Sequence, residues 1–225
     1  MPLRARLGGL LFDFDGLIVD TESPSYESWN EIYREHRHEL DLAQWADVIS
    51  NHDSPFDALE NLRLLVGDAD FDAAALAARR NARKDEITDL TELLPGIRKY
   101  VDEASGMGLK LGIASGSSRQ WVTRHLERLG IDQHWDCIRC RDDVQRSKPD
   151  PETYLALLDC LGVSAEEAIA LEDSPNGIAS AKAAGIYVVA VPNPLTRLLD
   201  LSDADLVVES LADLPLDELL RRAGR

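Results

Sequence analysis

The sequence predicts an α/β fold: a Rossmann-like doubly wound parallel sheet as the core, with an inserted α-helical cap. Three observations carry that expectation. Short, almost wholly apolar runs recur at residues 7–14, 109–114, 168–171, 187–191 and 206–208, as strands buried on both faces do. Helix-like stretches separate most of these runs, the pattern of parallel strands joined by crossover helices. Between Ser23 and about Leu93 there is instead only helical spacing, such as Tyr26, Trp29, Ile32 and Tyr33, then Phe56, Leu59, Leu62 and Val66.

The first run contains Leu10, Leu11 and Phe12 and places Asp13 and Asp15 at its exit, where Gly16 permits a tight turn. The helical insertion begins soon afterwards and ends near Leu94-Pro95-Gly96, a turn signal suited to a hinge. The resulting division is a core of residues 1–20 and 95–225 and a cap of residues 21–94. Ser23-Pro24, Ser54-Pro55, Asp150-Pro151 and Ser174-Pro175 each put a capping side chain before a proline suited to the first helical position. Gly67, Gly130, Gly162 and Gly185 mark helix ends. In the tail, Leu214, Leu216, Leu219 and Leu220 predict a last helix laid on the core, and a monomer is expected.

A chain of 225 residues accommodates one full domain and a smaller inserted one. Its 44% hydrophobic and 29% charged residues are an ordinary globular balance. The net charge of -17 repels nucleic acid and anionic lipid, so neither is an expected partner. A small anionic substrate remains possible where a metal ion or basic side chain reverses the local field. No apolar run is long enough to span a bilayer. Cys137, Cys140 and Cys160 cannot all pair, and the first residues do not resemble a signal peptide, so a reducing, cytoplasmic setting is expected. The isolated pair Cys137 and Cys140 lacks the further ligands zinc requires.

Four short segments carry the chemistry. Asp13-Phe14-Asp15-Gly16 closes the first predicted strand, and ligands of open α/β sheets bind outside the carboxyl ends of strands. Ser115-Gly116-Ser117-Ser118 follows the second and opens a helix, so hydroxyls and N–H groups face an incoming anion. In Ser147-Lys148-Pro149, the proline biases Lys148 away from helix, which lets its ammonium point into the crevice. Glu172-Asp173 sets two carboxylates together at a buried strand end, a repulsion that a hard cation such as Mg²⁺ relieves. Together they suit phosphoryl transfer. Asp13 is the nucleophile, Lys148 and Ser115 stabilise the transferring oxygens, and Asp15 is the acid and base. Mg²⁺ ligation would lower the pKa of a carboxylate, so Asp15 is expected to touch the ion through its backbone carbonyl.

The segments DFDGLIVDT at 13–21, SGS at 115–117, KPDPE at 148–152 and EDSPNGI at 172–178 resemble the haloacid dehalogenase-like superfamily. The resemblance spans almost the whole chain and is strongest to the branch of sugar-phosphate phosphatases, phosphoglycolate phosphatases and beta-phosphoglucomutases. It implies a mobile helical cap, an aspartyl phosphate on Asp13 and Mg²⁺ held by Asp13, Asp15 and Asp173, with Glu172 a further candidate ligand. It implies a small phosphorylated metabolite, a sugar phosphate, as substrate. Phosphate or substrate contacts fall to Gly16, Thr21, Ser115, Gly116, Lys148 and, in the cap loop, His52. Asp20 and Thr21 match the segment that couples cap closure to catalysis.

Hydrolysis is favoured over mutase chemistry, because Ser25 stands where the similar mutases place a cap histidine and 49–53 contains no arginine. A beta-phosphoglucomutase-type phosphosugar mutase is the alternative. A receiver-like phosphoacceptor module is more remote, since it lacks the second aspartate and the cap. Dehalogenation needs no proton donor at Asp15, and a retired homologue would not keep every motif position competent.

Overall fold

The computed structural model describes residues 7–50, 54–67 and 71–224. Strands β1 (Gly9–Phe12), β2 (Lys110–Ala114), β3 (Cys137–Arg139), β4 (Ala168–Glu172), β5 (Tyr187–Ala190) and β6 (Leu206–Val207) form one sheet in the order β3-β2-β1-β4-β5-β6. Every pairing is parallel. The order reverses at β1, whose neighbours β2 and β4 come from far along the chain. Such a switch point opens a crevice beyond the strand ends.

Period-two alternation divides the core between the two faces of the sheet. Leu10, Phe12, Leu111, Ile113, Ile169 and Leu171 face one side. There they meet Ile97, Tyr100 and Val101 of α5 (Ile97–Gly106), Val122 and Leu126 of α6 (Arg119–Leu129), and Leu216 and Leu219 of α9 (Leu216–Arg222). Leu11, Ala168, Ala170 and Val188 face the other side, against α7 (Glu152–Leu161) and α8 (Pro175–Ala183). The expected tail helix is therefore present, and its leucines are spent on the chain's own core.

Among the described residues, the cap lies between β1 and α5 as four helices, α1 (Glu22–Glu35), α2 (Leu42–Ser50), α3 (Ala58–Val66) and α4 (Ala73–Asp89). It has its own apolar cluster, in which Ile32, Tyr33, Leu40, Trp45 and Leu62 are buried. The Tyr33 hydroxyl donates to the Ala58 carbonyl at 2.6 Å, which ties α1 to α3 without leaving a buried polar atom unpaired. Leu195 from the core joins this cluster. Two connections leave the core side by side: Val19 bridges Leu93, and the Leu94 N–H donates to the Ile18 carbonyl at 2.9 Å.

Several local expectations are corrected. Helix α1 starts at Glu22, one residue before Ser23, with Thr21 at its N-cap, and the Asp20 carboxylate takes the Ser23 N–H at 2.9 Å. Helix α3 is capped by Asp57, which accepts from the Glu60 N–H at 2.8 Å, while Ser54 spends its hydroxyl on Asp47. Cys137 and Cys160 form a disulfide, which the expectation of a reducing setting did not anticipate. Strand β3 and helix α7 lie side by side, a proximity that the sequence separation of 23 conceals. Cys140 remains a buried thiol. Among the described residues, no helix is long and apolar enough to cross a membrane.

Candidate active site

Asp13 leaves the end of β1, Glu172 closes β4 and Asp173 follows it, so adjacent parallel strands deliver three carboxylates to one point. Their oxygens lie within 4.8 Å of one another, and all three residues are buried. Lys148 enters from the loop before α7. Its Nζ donates to Asp13 Oδ1 at 2.6 Å and to Glu172 Oε1 at 2.5 Å. The Tyr154 hydroxyl, from the first turn of α7, donates to the same Glu172 oxygen at 2.6 Å. Glu172 thus accepts from three donors, the third being the Asp173 N–H at 3.3 Å, whereas among the described residues the Asp173 carboxylate accepts the side-chain amide of Asn193 alone, at 2.7 Å.

One ammonium does not balance three buried carboxylates. Burial, then the charge of Glu172, push the Asp13 carboxyl up to about 8, although Lys148 pulls the other way. Burial, then Asp13 and Glu172, hold Asp173 well above the ordinary carboxylate range. Burial disfavours the Lys148 ammonium, but Asp13 and Glu172 more than offset it and its pKa rises. The cluster therefore calls for further positive charge, and an all-oxygen donor set of this kind fits Mg²⁺.

Two glycines make room for these carboxylates. A Cβ on Gly16 would lie 2.2 Å from Asp173 Oδ2, and one on Gly177 would lie 1.9 Å from Glu172 Oε2. Gly16 also has φ +82°, a left-handed conformation that favours glycine. It backs Asp173 from behind, with its carbonyl accepting from Asn193 at 3.3 Å.

Asp15 stands slightly apart from the trio. Its Oδ2 accepts from the Ser115 hydroxyl at 3.2 Å and its Oδ1 from the indole Nε1 of Trp121 at 2.9 Å. Ser115 sits at the end of β2, fully buried, and its oxygen also accepts the Ser117 N–H at 3.0 Å. Ser118 caps α6 through the Trp121 N–H, as the sequence suggests for this segment. The N-terminus of α6 and that of α8, capped by Ser174, both open beside the cleft.

Asp13, Asp15, Lys148 and Asp173 line a cleft of about 590 Å³ between core and cap. Thr21 and Gly116 line it too, and the Thr21 hydroxyl is buried without a partner. On the cap side stand Glu22 and Ser25 of α1, Trp45 and Ile49 of α2 and Lys84 of α4. Glu22 is pushed up to about 7 by burial, then by the charges of Asp15 and Asp20. Ser25 is held by Arg80 of α4, whose guanidinium donates to the serine hydroxyl at 2.5 Å. The cap thus brings an arginine near this wall, though from α4 and not from the loop at 49–53. His52 lies outside the described residues.

Sequence reasoning missed Tyr154, Trp121, Asn193, Glu22 and Lys84. Tyr154 and Trp121 sit at helical positions that read as core, and Asn193 lies between two prolines after β5, where only a turn is legible.

Comparison with known proteins identifies the family. The family model for haloacid dehalogenase-like hydrolases matches residues 10–191. YhcW of Bacillus subtilis (strain 168), whose name assigns it provisionally to the phosphatases, is 40% identical over 94% of this chain and 95% of its own. Fructose-1-phosphate phosphatase YqaB of Escherichia coli (strain K12) is 30% identical over 83% of this chain and 97% of its own. The crystal structure of beta-phosphoglucomutase from Clostridium difficile superposes with a TM-score of 0.72 at 26% identity, covering 97% of each chain. The chain belongs to the haloacid dehalogenase-like hydrolase family. Within that family it is a phosphatase of the branch similar to beta-phosphoglucomutase.

Proposed function

We infer that this chain is a Mg²⁺-dependent phosphatase that hydrolyses a small phosphorylated metabolite, a sugar phosphate, through an aspartyl phosphate on Asp13. The observation that carries the reading is the junction of Asp13, Lys148 and the Glu172-Asp173 pair at adjacent strand ends, facing a cleft closed on its far side by the cap. Asp13, Asp173 and the backbone carbonyl of Asp15 would hold the ion, and Glu172 completes the acidic wall while anchoring Lys148. When bound, Mg²⁺ neutralises the nucleophile's surroundings and polarises the phosphoryl group.

The residues then divide the work. An Asp13 carboxylate oxygen attacks phosphorus, the ester P–O bond breaks, and the leaving oxygen takes a proton from Asp15. Ser115, the N–H groups beside Gly116 and the Lys148 ammonium stabilise the phosphoryl oxygens. Asp15, now ionised, takes a proton from water as that water attacks phosphorus. The bond to Asp13 breaks, phosphate departs, and both carboxyl groups return to their first state. Thr21, with its unpartnered hydroxyl, contacts the substrate at the base of the cap, and Gly16 serves the site by admitting Asp173. The cap spans residues 21–94 and the core residues 1–20 and 95–225, and the chain acts as a monomer, since the apolar face of α9 is already covered.

The sugar-phosphate assignment draws on the named substrate of the fructose-1-phosphate phosphatase relative. A phosphosugar mutase is the second reading, favoured by the likeness to beta-phosphoglucomutase. Against it, the Ser25 hydroxyl is engaged by Arg80. A phosphate-release panel with Mg²⁺, run beside Asp13→Asn and an assay of glucose 1-phosphate isomerisation, tests both. A sugar phosphate should rank among the best substrates. If none does, that assignment fails, and isomerisation faster than release would establish the mutase.

A further inference from the structure

The carboxylate assigned to proton transfer is held by a side chain that lies outside all four motifs. We propose that Trp121 is a positioning residue that directs the proton of Asp15 toward the leaving oxygen, with Lys84 of the cap fixing the indole in place. This rests on the phosphoryl-transfer reading above.

The two hydrogen bonds on Asp15 differ in kind. The Ser115 hydroxyl can donate or accept, and it is among the groups assigned to the phosphoryl oxygens. Once it turns to them, Asp15 Oδ2 is released. The Trp121 indole N–H can only donate, and nothing in the reaction competes for it. It marks Oδ1 as an acceptor at 2.9 Å. A proton on Asp15 must then sit on Oδ2, the oxygen turned to Ser115 and hence to the phosphoryl site. One fixed donor therefore selects both which oxygen carries the proton and which way it faces.

The indole is itself fixed on two sides. Within α6, the His125 ring meets it edge-on at 4.2 Å between centroids. From α4 of the cap, Lys84 Nζ lies 4.4 Å from the ring centroid, a cation–π contact across the cleft. The path Lys84–Trp121–Asp15 thus runs from cap to acid without passing through the strand-end motifs.

The experiment uses leaving groups that differ in their need for a proton. Values of kcat/KM, which report the step that expels the leaving group, are measured with Mg²⁺ for glycerol 1-phosphate and p-nitrophenyl phosphate. p-Nitrophenolate departs without help, whereas an alkoxide does not. Trp121→Phe should lower kcat/KM for the alkyl ester about ten- to a hundredfold, the loss of one hydrogen bond to a charged group. The aryl ester should fall less than about threefold, because its expulsion bypasses the acid. Lys84→Met should show the same bias in weaker form, and it carries the test if the phenylalanine variant does not fold. Equal losses on both esters, or no loss on the alkyl ester, would overturn the proposal. Asp15→Asn separates this from the parent reading. If Asp15→Asn fails to discriminate the esters, the acid assignment itself falls. If it discriminates and Trp121→Phe does not, only the present proposal falls.

Discussion

Lys148 Nζ lies 2.6 Å from Asp13 Oδ1, although 135 residues separate them in the chain. That contact joins the end of the first strand to the loop before α7 and places the single ammonium of the strand-end cluster against the assigned nucleophile. Lys148→Met would leave Asp13 and Glu172 buried without it. Removing one partner of a buried ion pair costs about 3–5 kcal/mol, so denaturant unfolding at neutral pH should show a loss of that order together with lost phosphate release. A variant as stable as its parent would mean that the pair is not coupled in this way.

Space around the acidic pair is equally restrictive. In Gly177→Ala the new Cβ would fall 1.9 Å from Glu172 Oε2, so the carboxylate must move and take Lys148 with it. Overpacking of this kind costs about 1–3 kcal/mol. Activity should fall more steeply than stability, because the displaced lysine also touches Asp13. Full activity in this variant would show that the carboxylate's position is unimportant.

Metal binding should be visible without turnover. A ligand at a hundredfold excess over its Kd stabilises the folded state by about 2.7 kcal/mol, so Mg²⁺ should raise Tm in calorimetry. Asp173→Asn should abolish most of that response, and a chelator should abolish phosphate release. An unchanged Mg²⁺ response in Asp173→Asn would place the ion elsewhere.

The pH dependence at Glu22 has a definite sign. Its carboxyl rises from an ordinary 4.5 to about 7 in the folded chain, chiefly through burial. Between those values the folded state binds the proton more tightly than the unfolded state, so stability is lost as pH rises through the window. Glu22→Gln removes the penalty. It should stabilise the protein by roughly 1–3 kcal/mol at pH 8 and change little at pH 4. Equal effects at both pH values would contradict the shift.

Much of this was legible in the sequence because the fold's own periodicities are local. The runs beginning at Leu7, Leu109, Ala168 and Tyr187 are apolar on both faces, and a doubly covered parallel strand requires that. Strand β3 was not legible: its three residues, Cys137–Arg139, form an edge strand of the sheet and carry no apolar run. Asp13, Asp15, Ser115, Lys148 and Asp173 could be singled out since each sits at a strand exit or helix entry, where an α/β sheet gathers its ligands. Tyr154 and Trp121 could not, because an aromatic on the inner side of a helix reads as core until its polar atom is seen to have a partner. The disulfide was hidden for a related reason: spacing along the chain does not disclose that Cys160 of α7 faces Cys137 of β3.

The account depends most on covalent capture of phosphate by Asp13. Acid quenching of a single turnover with radiolabelled p-nitrophenyl phosphate and Mg²⁺, followed by peptide mapping, tests it directly. The label should reside on the peptide containing Asp13, be released by hydroxylamine as an acyl phosphate is, and be absent from Asp13→Asn. Turnover without any labelled protein, or label that persists in Asp13→Asn, would contradict it.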